Sequence, residues 1–336
     1  MIALAASFVS LASAQGPTTE ATAKRPSKTA RAWIPPQMPW GEPDLQGVYT
    51  NIDEVYVPLE RPPRFEGRRL EDVTPAELVQ FATEVNETAR RNYEQSFNRN
   101  TFVSAKRRFD VKPSRAWLVV DPPDGRIPPL TVEAQQRASA NVARQTRLPD
   151  SYEDLGVFNR CLSHGLPRSM MPNVEEKTFR IVQAPGVVAI TYEIIHEARI
   201  IPVDGRRHVG RNIRMYMGDA RGHWDGSSLV VDTSNFTDVP FPPEARGIAR
   251  QSRDLRIVER FRPVAPQIVE WSVTLDDPST WSRPWTIAMN LTKVGESQQP
   301  LEYACHEGNL GLPNLLTGAR ADEKAEEEAA RLKAKP

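Results

Sequence analysis

Two glutamates stand inside apolar runs, where a charge is costly enough to need a reason. Glu259 falls in Leu255–Phe261, and strand alternation sets it beside Leu255, Ile257 and Phe261. A carboxylate facing an apolar interior is unfavourable unless it is paired or hydrogen-bonded. It is therefore either one half of an internal Glu–Arg pair or a cavity carboxylate able to move protons. Glu193 ends the run Val187–Tyr192 and continues into Ile194-Ile195. It is either a strand-end charge or an inward-facing acid. Arg199 and Ile201 share its parity, whereas His196 has the opposite parity.

Acid–base chemistry needs a second group, and His223 and His306 are the candidates. His223 precedes Trp224 and a tight turn, and His306 follows Cys305. Arg199, Arg260 and Arg283 are the candidates for steadying negative charge. Trp281-Ser282-Arg283-Pro284-Trp285 interleaves two indoles with a guanidinium, so Trp281 and Trp285 could hold a ring, with Tyr303 as a further contact. The same segment also reads as a structural corner in which Arg283 shields the two indoles.

Other chemistries lack their motifs. The five histidines form no HExxH or HxH pair, and the two cysteines form no CxxC, so no metal and no cofactor is expected. There is no P-loop, no GxGxxG placed after a strand and no GxSxG elbow. Cys161 and Cys305 are either a disulfide or two buried thiols. A bridge would draw Arg160 and His164 near His306.

The elements that must position these residues are short. The 30 prolines disfavour long helices and parallel sheets and fit short strands with ordered turns. Thr74-Pro75-Ala76-Glu77 is a capping box with Pro at the first helical position, which predicts a helix to about Ser96. A weaker helix is expected over 131–146. Strands are expected at 46–51, Phe179–Gln183, Val187–Tyr192, Thr191–Ile201, Leu229–Thr233, Leu255–Phe261, Ile268–Leu275, Trp285–Leu291 and Leu301–Cys305. Val269, Trp271, Val273 and Leu275 alternate with polar residues, the mark of a half-buried antiparallel sheet. Regular spacing of such strands predicts a closed or nearly closed barrel.

The 43 basic and 43 acidic side chains balance, which argues against a nucleic-acid partner. Residues 2–12 are apolar and end in Ala12-Ser13-Ala14, the pattern of a signal peptide over 1–14; the run is too short for a membrane span. A secreted or periplasmic protein is therefore expected. An extended arm over 15–45, a single barrel domain over 46–315 with a helical insertion at about 74–146, and a charged tail over 316–336 complete the expected organisation.

Seven segments together resemble a large, mostly uncharacterised family of exported bacterial proteins of acidobacterial and sphingomonad type. They are PDLQGVYTN (43–51), RCLSHGLPR (160–168), YEIIHEARIIPVDG (192–205), GDARGHWDGSSLVVDTSNF (218–236), VERF (258–261), DDPSTWSRPW (276–285) and EYACHEGNLGLPN (302–314). Gly47-Val48-Tyr49 is similar to the first-strand signature of lipocalin-like (calycin-type) barrels, with Tyr49 where Trp is usual. The resemblance implies a mainly β, antiparallel lipocalin-like barrel with one or two accessory helices and a long N-terminal wrap.

Some similar secreted proteins are linked to glutathione-independent cleavage of lignin-type β-aryl ethers. The resemblance thus implies a β-etherase-like hydrolase or lyase acting on a small aromatic substrate. Glu193 or Glu259 would be the base, and His223 or His306 would protonate the departing phenolate. The alternative is a non-catalytic periplasmic or extracellular carrier of an apolar small molecule. A hydrolase or lyase with a bound metal is a third, weaker reading. A homo- or heterodimer is compatible with all three.

Overall fold

The computed structural model describes residues 33–95, 108–145, 147–173, 178–237, 252–295 and 298–334. The expected signal peptide at 1–14 and the first part of the arm lie outside the described residues. From Trp33 onward the chain forms one compact unit.

Ten strands make one antiparallel sheet: β1 (Gly47–Thr50), β2 (Val119–Asp121), β3 (Thr178–Ala184), β4 (Val187–Tyr192), β5 (Ala198–Pro202), β6 (Asp219–Asp225), β7 (Ser228–Ser234), β8 (Arg256–Ala265), β9 (Ile268–Asp276) and β10 (Trp285–Val294). Their order is β5-β4-β3-β1-β10-β9-β8-β7-β6, with β2 added beside β10. β5 and β6 are the edges of an open sheet.

Strict alternation explains which face is buried. Along β9, Val269, Trp271, Val273 and Leu275 point into the core while their neighbours are half-buried. Ile257, Glu259 and Phe261 do the same on β8. One apolar cluster takes side chains from β1 through β10, so the sheet wraps around a single interior. The wrap brings its two edges into side-chain contact. Gly222 of β6 leaves the space that Val203 and Ile201 occupy: a Cβ there would lie 2.7 Å from Val203 Cγ1 and 2.9 Å from Ile201 Cγ2.

Among the described residues, three helices accompany the sheet: α1 (Pro75–Glu94), α2 (Val132–Gln145) and α3 (Gly311–Lys333). The capping box opens α1 as its sequence requires: Glu77 N–H donates to Thr74 Oγ1 at 3.3 Å, and Thr74 N–H donates to Glu77 Oε2 at 2.8 Å. Phe81 of α1 packs with Phe65, Ala116 and Trp117 in a small separate core. α3 begins at Gly311, ahead of the expected tail boundary.

Two expected strands are corrected. Leu301–Cys305 is irregular rather than extended in a ladder. β10 already has β9 on one side and β1 and β2 on the other, so a following strand finds no free side of β10 to pair with. The run Thr191–Ile201 is not continuous either. A tight turn at Ile194–His196 interrupts it, with Ile195 and His196 at φ of 61° and 56°.

Candidate functional site

The turn at Ile194–His196 decides which side chains meet. It closes β4 at Tyr192 and restarts the chain as β5, so Tyr192 and Arg199 both enter the interior. Arg199 is only 3% exposed and Glu259 is 0% exposed. Arg199 donates from Nη1 to Glu259 Oε1 at 3.1 Å and from Nη2 to Oε2 at 2.5 Å. This bidentate fork is the geometry that best matches guanidinium to carboxylate. Nη2 also donates to Thr233 Oγ1 at 3.3 Å, and Nη1 to Tyr192 OH at 3.4 Å. Trp271 Nε1 donates to Glu259 Oε1 at 3.1 Å. Arg199 Nε is buried and has no hydrogen-bond partner among the described residues.

The electrostatics follow from burial and pairing. Desolvation pushes the Tyr192 hydroxyl up to about 12, with the Glu259 charge adding to it and Arg199 opposing. Burial works against the charge on Arg199, but the neighbouring Glu259 and Tyr192 outweigh it and its pKa rises. The interior therefore holds a fixed cation beside a neutral phenol at neutral pH.

Glu193 is drawn elsewhere. Its carboxylate accepts from the Thr178 N–H at 3.2 Å and the Thr178 hydroxyl at 2.5 Å, and its own N–H donates to Thr178 O at 3.0 Å. It fixes the start of the turn and does not join Arg199. His223 is exposed on β6, one residue from the buried Gly222. His306 is exposed beyond the sheet. Arg260 pairs with Asp225 at 2.8 Å and Arg283 with Asp121 at 3.0 Å, both outside the core. Trp281 and Trp285 are buried edge-to-face, with centroids 5.3 Å apart, so they fill the core while Arg283 turns to Asp121.

Cys161 and Cys305 form a disulfide with Cα atoms 5.7 Å apart. Beside it lies a groove of about 410 Å³ bordered by Phe158, Glu302 and Tyr303. Around the bridge, Arg160 lies over Tyr152, and His164 packs on Phe158. Next to them is Glu197, which sequence reasoning passed over. It accepts from the Ser163 hydroxyl at 2.5 Å and the His164 N–H at 2.7 Å. Burial raises its pKa, against those two hydrogen bonds. Tyr192 and Thr233 were also passed over, because nothing local marks a strand residue whose partner comes from across the sheet.

Among the described residues, no group of three or more His, Cys, Asp or Glu side chains is arranged to hold a metal ion. No helix among them is long and apolar enough to cross a membrane.

No family model and no curated protein matches the chain. A solved structure, of a secretary abundant heat soluble (SAHS) protein from Ramazzottius varieornatus taken from a dimer sample, aligns with 41% of this chain and 87% of its own. The identity is 12% and the TM-score 0.25, too weak a superposition to carry an argument about this chain.

Proposed function

We propose that the ten strands form a lipocalin-like barrel that binds a small aromatic or apolar molecule in the periplasm or outside the cell. The disulfide supports an oxidising compartment. The observation that carries the binding reading is Arg199 Nε, a buried donor with no acceptor among the described residues. Leaving such a group unsatisfied costs about 1–3 kcal/mol. An apolar molecule bearing one acceptor oxygen would satisfy it, and few polar groups in an apolar wall are how small-molecule sites fix orientation. Glu259 is engaged by Arg199 and Trp271, and Glu193 by Thr178, so neither is presented as a base.

Tyr192 favours a second reading, β-aryl ether cleavage. Its neutral hydroxyl beside the Arg199 cation is suited to protonating a departing phenolate oxygen while the guanidinium steadies the charge. Water would supply the hydroxyl that replaces the aryl oxygen and return the proton to Tyr192.

One experiment separates the two. The full-length protein is incubated with lignin-derived β-aryl ether dimers and simple aromatics, denatured, and its small molecules identified by mass spectrometry. Intact ligand retained at about one per chain supports the carrier. A phenol product that disappears with Tyr192→Phe supports cleavage. Neither retention nor product overturns both.

A further inference from the structure

We propose that a groove at one end of β6, β7 and β8 binds a phosphate or sulfate group, free or esterified to a small organic molecule. The site is independent of the interior cluster: it opens beside Asp232, which faces away from the inward Thr233.

Register builds the groove. Asp219 pairs with Ser234 and Asp232 with Val258, so the start of β6, the end of β7 and the start of β8 share one end of the sheet. The groove there measures about 560 Å³ and takes its walls from residues 208–214, 232–235 and 253–256. The segment ahead of β6 is pinned in place. Asp219 accepts from Val209 N–H at 2.9 Å and from Arg221 at 2.6 Å, and lies 2.9 Å from His208 Nδ1. Asn235 donates to Val209 O at 3.0 Å from φ 60°, a left-handed conformation that asparagine adopts more readily than most side chains.

The charges do not balance. Arg256 is committed to Asp232 through two bonds of 2.8 and 2.6 Å. Arg214 donates to the carbonyls of Phe236 at 3.0 Å and Arg253 at 2.7 Å, which hold its position without neutralising it. Arg211 and Arg253 are exposed and have no ion pair among the described residues. Asp254, the other acid on the wall, accepts from the Ser279 hydroxyl at 2.8 Å. Three guanidinium groups thus border a concave surface with one carboxylate unmatched to them, a local cationic excess in a chain whose 43 basic and 43 acidic side chains cancel overall. A carboxylate is satisfied by a single guanidinium fork. Several forks arriving from separate segments suit a tetrahedral group with three or more oxygens.

Isothermal titration of the full-length protein at fixed ionic strength tests the site with inorganic phosphate, sulfate, phenyl phosphate and benzoate. Phosphate or sulfate should bind, and benzoate should bind at least about tenfold more weakly. The Arg211→Gln/Arg253→Gln variant should lose about tenfold or more in affinity, while Arg180→Gln, exposed on β3, should not change it. Tighter binding of phenyl phosphate than of phosphate identifies the esterified form as the ligand, and equal or weaker binding identifies the free anion. No binding of phosphate, sulfate or phenyl phosphate overturns the proposal. So does unchanged affinity in the double variant, or benzoate binding as tightly as phosphate. Both variants alter exposed side chains, and an unchanged Tm shows that a loss of affinity is local.

Discussion

Arg199 and Glu259 stand 60 residues apart on strands with five others between them in the sheet order, yet they face each other across the interior in a bidentate pair. Only a sheet that wraps round its own core brings β5 and β8 together in this way. The pair marks the polar centre of an otherwise apolar core, and its energetics are distinctive. Two charges removed from water repay their desolvation only when both are present.

Replacing either partner alone should therefore cost more than replacing both. Arg199→Met leaves Glu259 charged and buried with Trp271 as its remaining donor, and Glu259→Leu leaves Arg199 without its counter-ion. Each single change should destabilise the protein by about 3–5 kcal/mol. The double change should recover most of that loss. Urea unfolding of the four proteins checks it, and additive losses in the double variant would contradict the coupling.

A second buried acid predicts a pH dependence of opposite sign to the usual carboxylate. Glu54 is buried beneath β10, accepting from the Ser114 N–H at 3.1 Å and the Asn290 N–H at 3.4 Å. Burial raises its pKa, more than the Ser114 bonds and nearby Arg115 lower it. Below the ordinary glutamate range both folded and unfolded states are protonated, so the residue has no pH effect. As the pH rises through that range the unfolded chain ionises first, and stability falls until the folded group also ionises. Glu54→Gln removes this slope. The variant should thus gain on the wild type as the pH increases from 4 towards 8 in parallel urea titrations. A stability difference that stays constant, or that shifts in favour of the wild type as the pH rises, would refute the assignment.

The parts of the fold that depend on local rules were legible. Period-two alternation marked β8, β9 and β10, the capping box marked α1, and the inward parity of Glu259 left an internal Glu–Arg pair as one of its two readings. What remained hidden depends on long-range geometry. The turn that removes Glu193 from the strand needs Ile195 and His196 at positive φ, a conformation their side chains disfavour and no residue signal announces. Tyr192 and Thr233 looked like ordinary strand residues until β5 and β7 set Arg199 between them. The arginine groove draws on three segments with no shared motif. His223, singled out by its place before Trp224 and a tight turn, and His306, by its place after Cys305, are both exposed.

The disulfide joins residues 144 positions apart and fastens the approach to α3 to the loop ahead of β3. Asn309 adds to the anchor by donating to Asn159 O at 2.9 Å. A cross-link closing so long a loop restricts the unfolded chain, and its loss should cost about 2–5 kcal/mol. Cys161→Ser/Cys305→Ser should therefore lower the urea midpoint. Hydrogen exchange should rise first over residues 301–333, because the sheet is held by its own ladders. Uniform loss of protection across the sheet would show that the bridge supports the core instead of the C-terminal segment.

The seam between the sheet edges can be tested at a single atom. The space that a Cβ on Gly222 would need is filled by Ile201 and Val203, and Ile201 is fully buried. Gly222→Ala sets a methyl within 2.7 Å of Val203 Cγ1 and 2.9 Å of Ile201 Cγ2, closer than carbon atoms pack. Overpacking of this kind costs about 1–3 kcal/mol. Val203 is half-buried, so Val203→Ala removes the nearer obstruction at little cost of its own. If the edges meet as described, Gly222→Ala/Val203→Ala should be more stable than Gly222→Ala alone. A double-mutant cycle in urea that gives no coupling would separate β5 from β6 and leave the sheet without its seam.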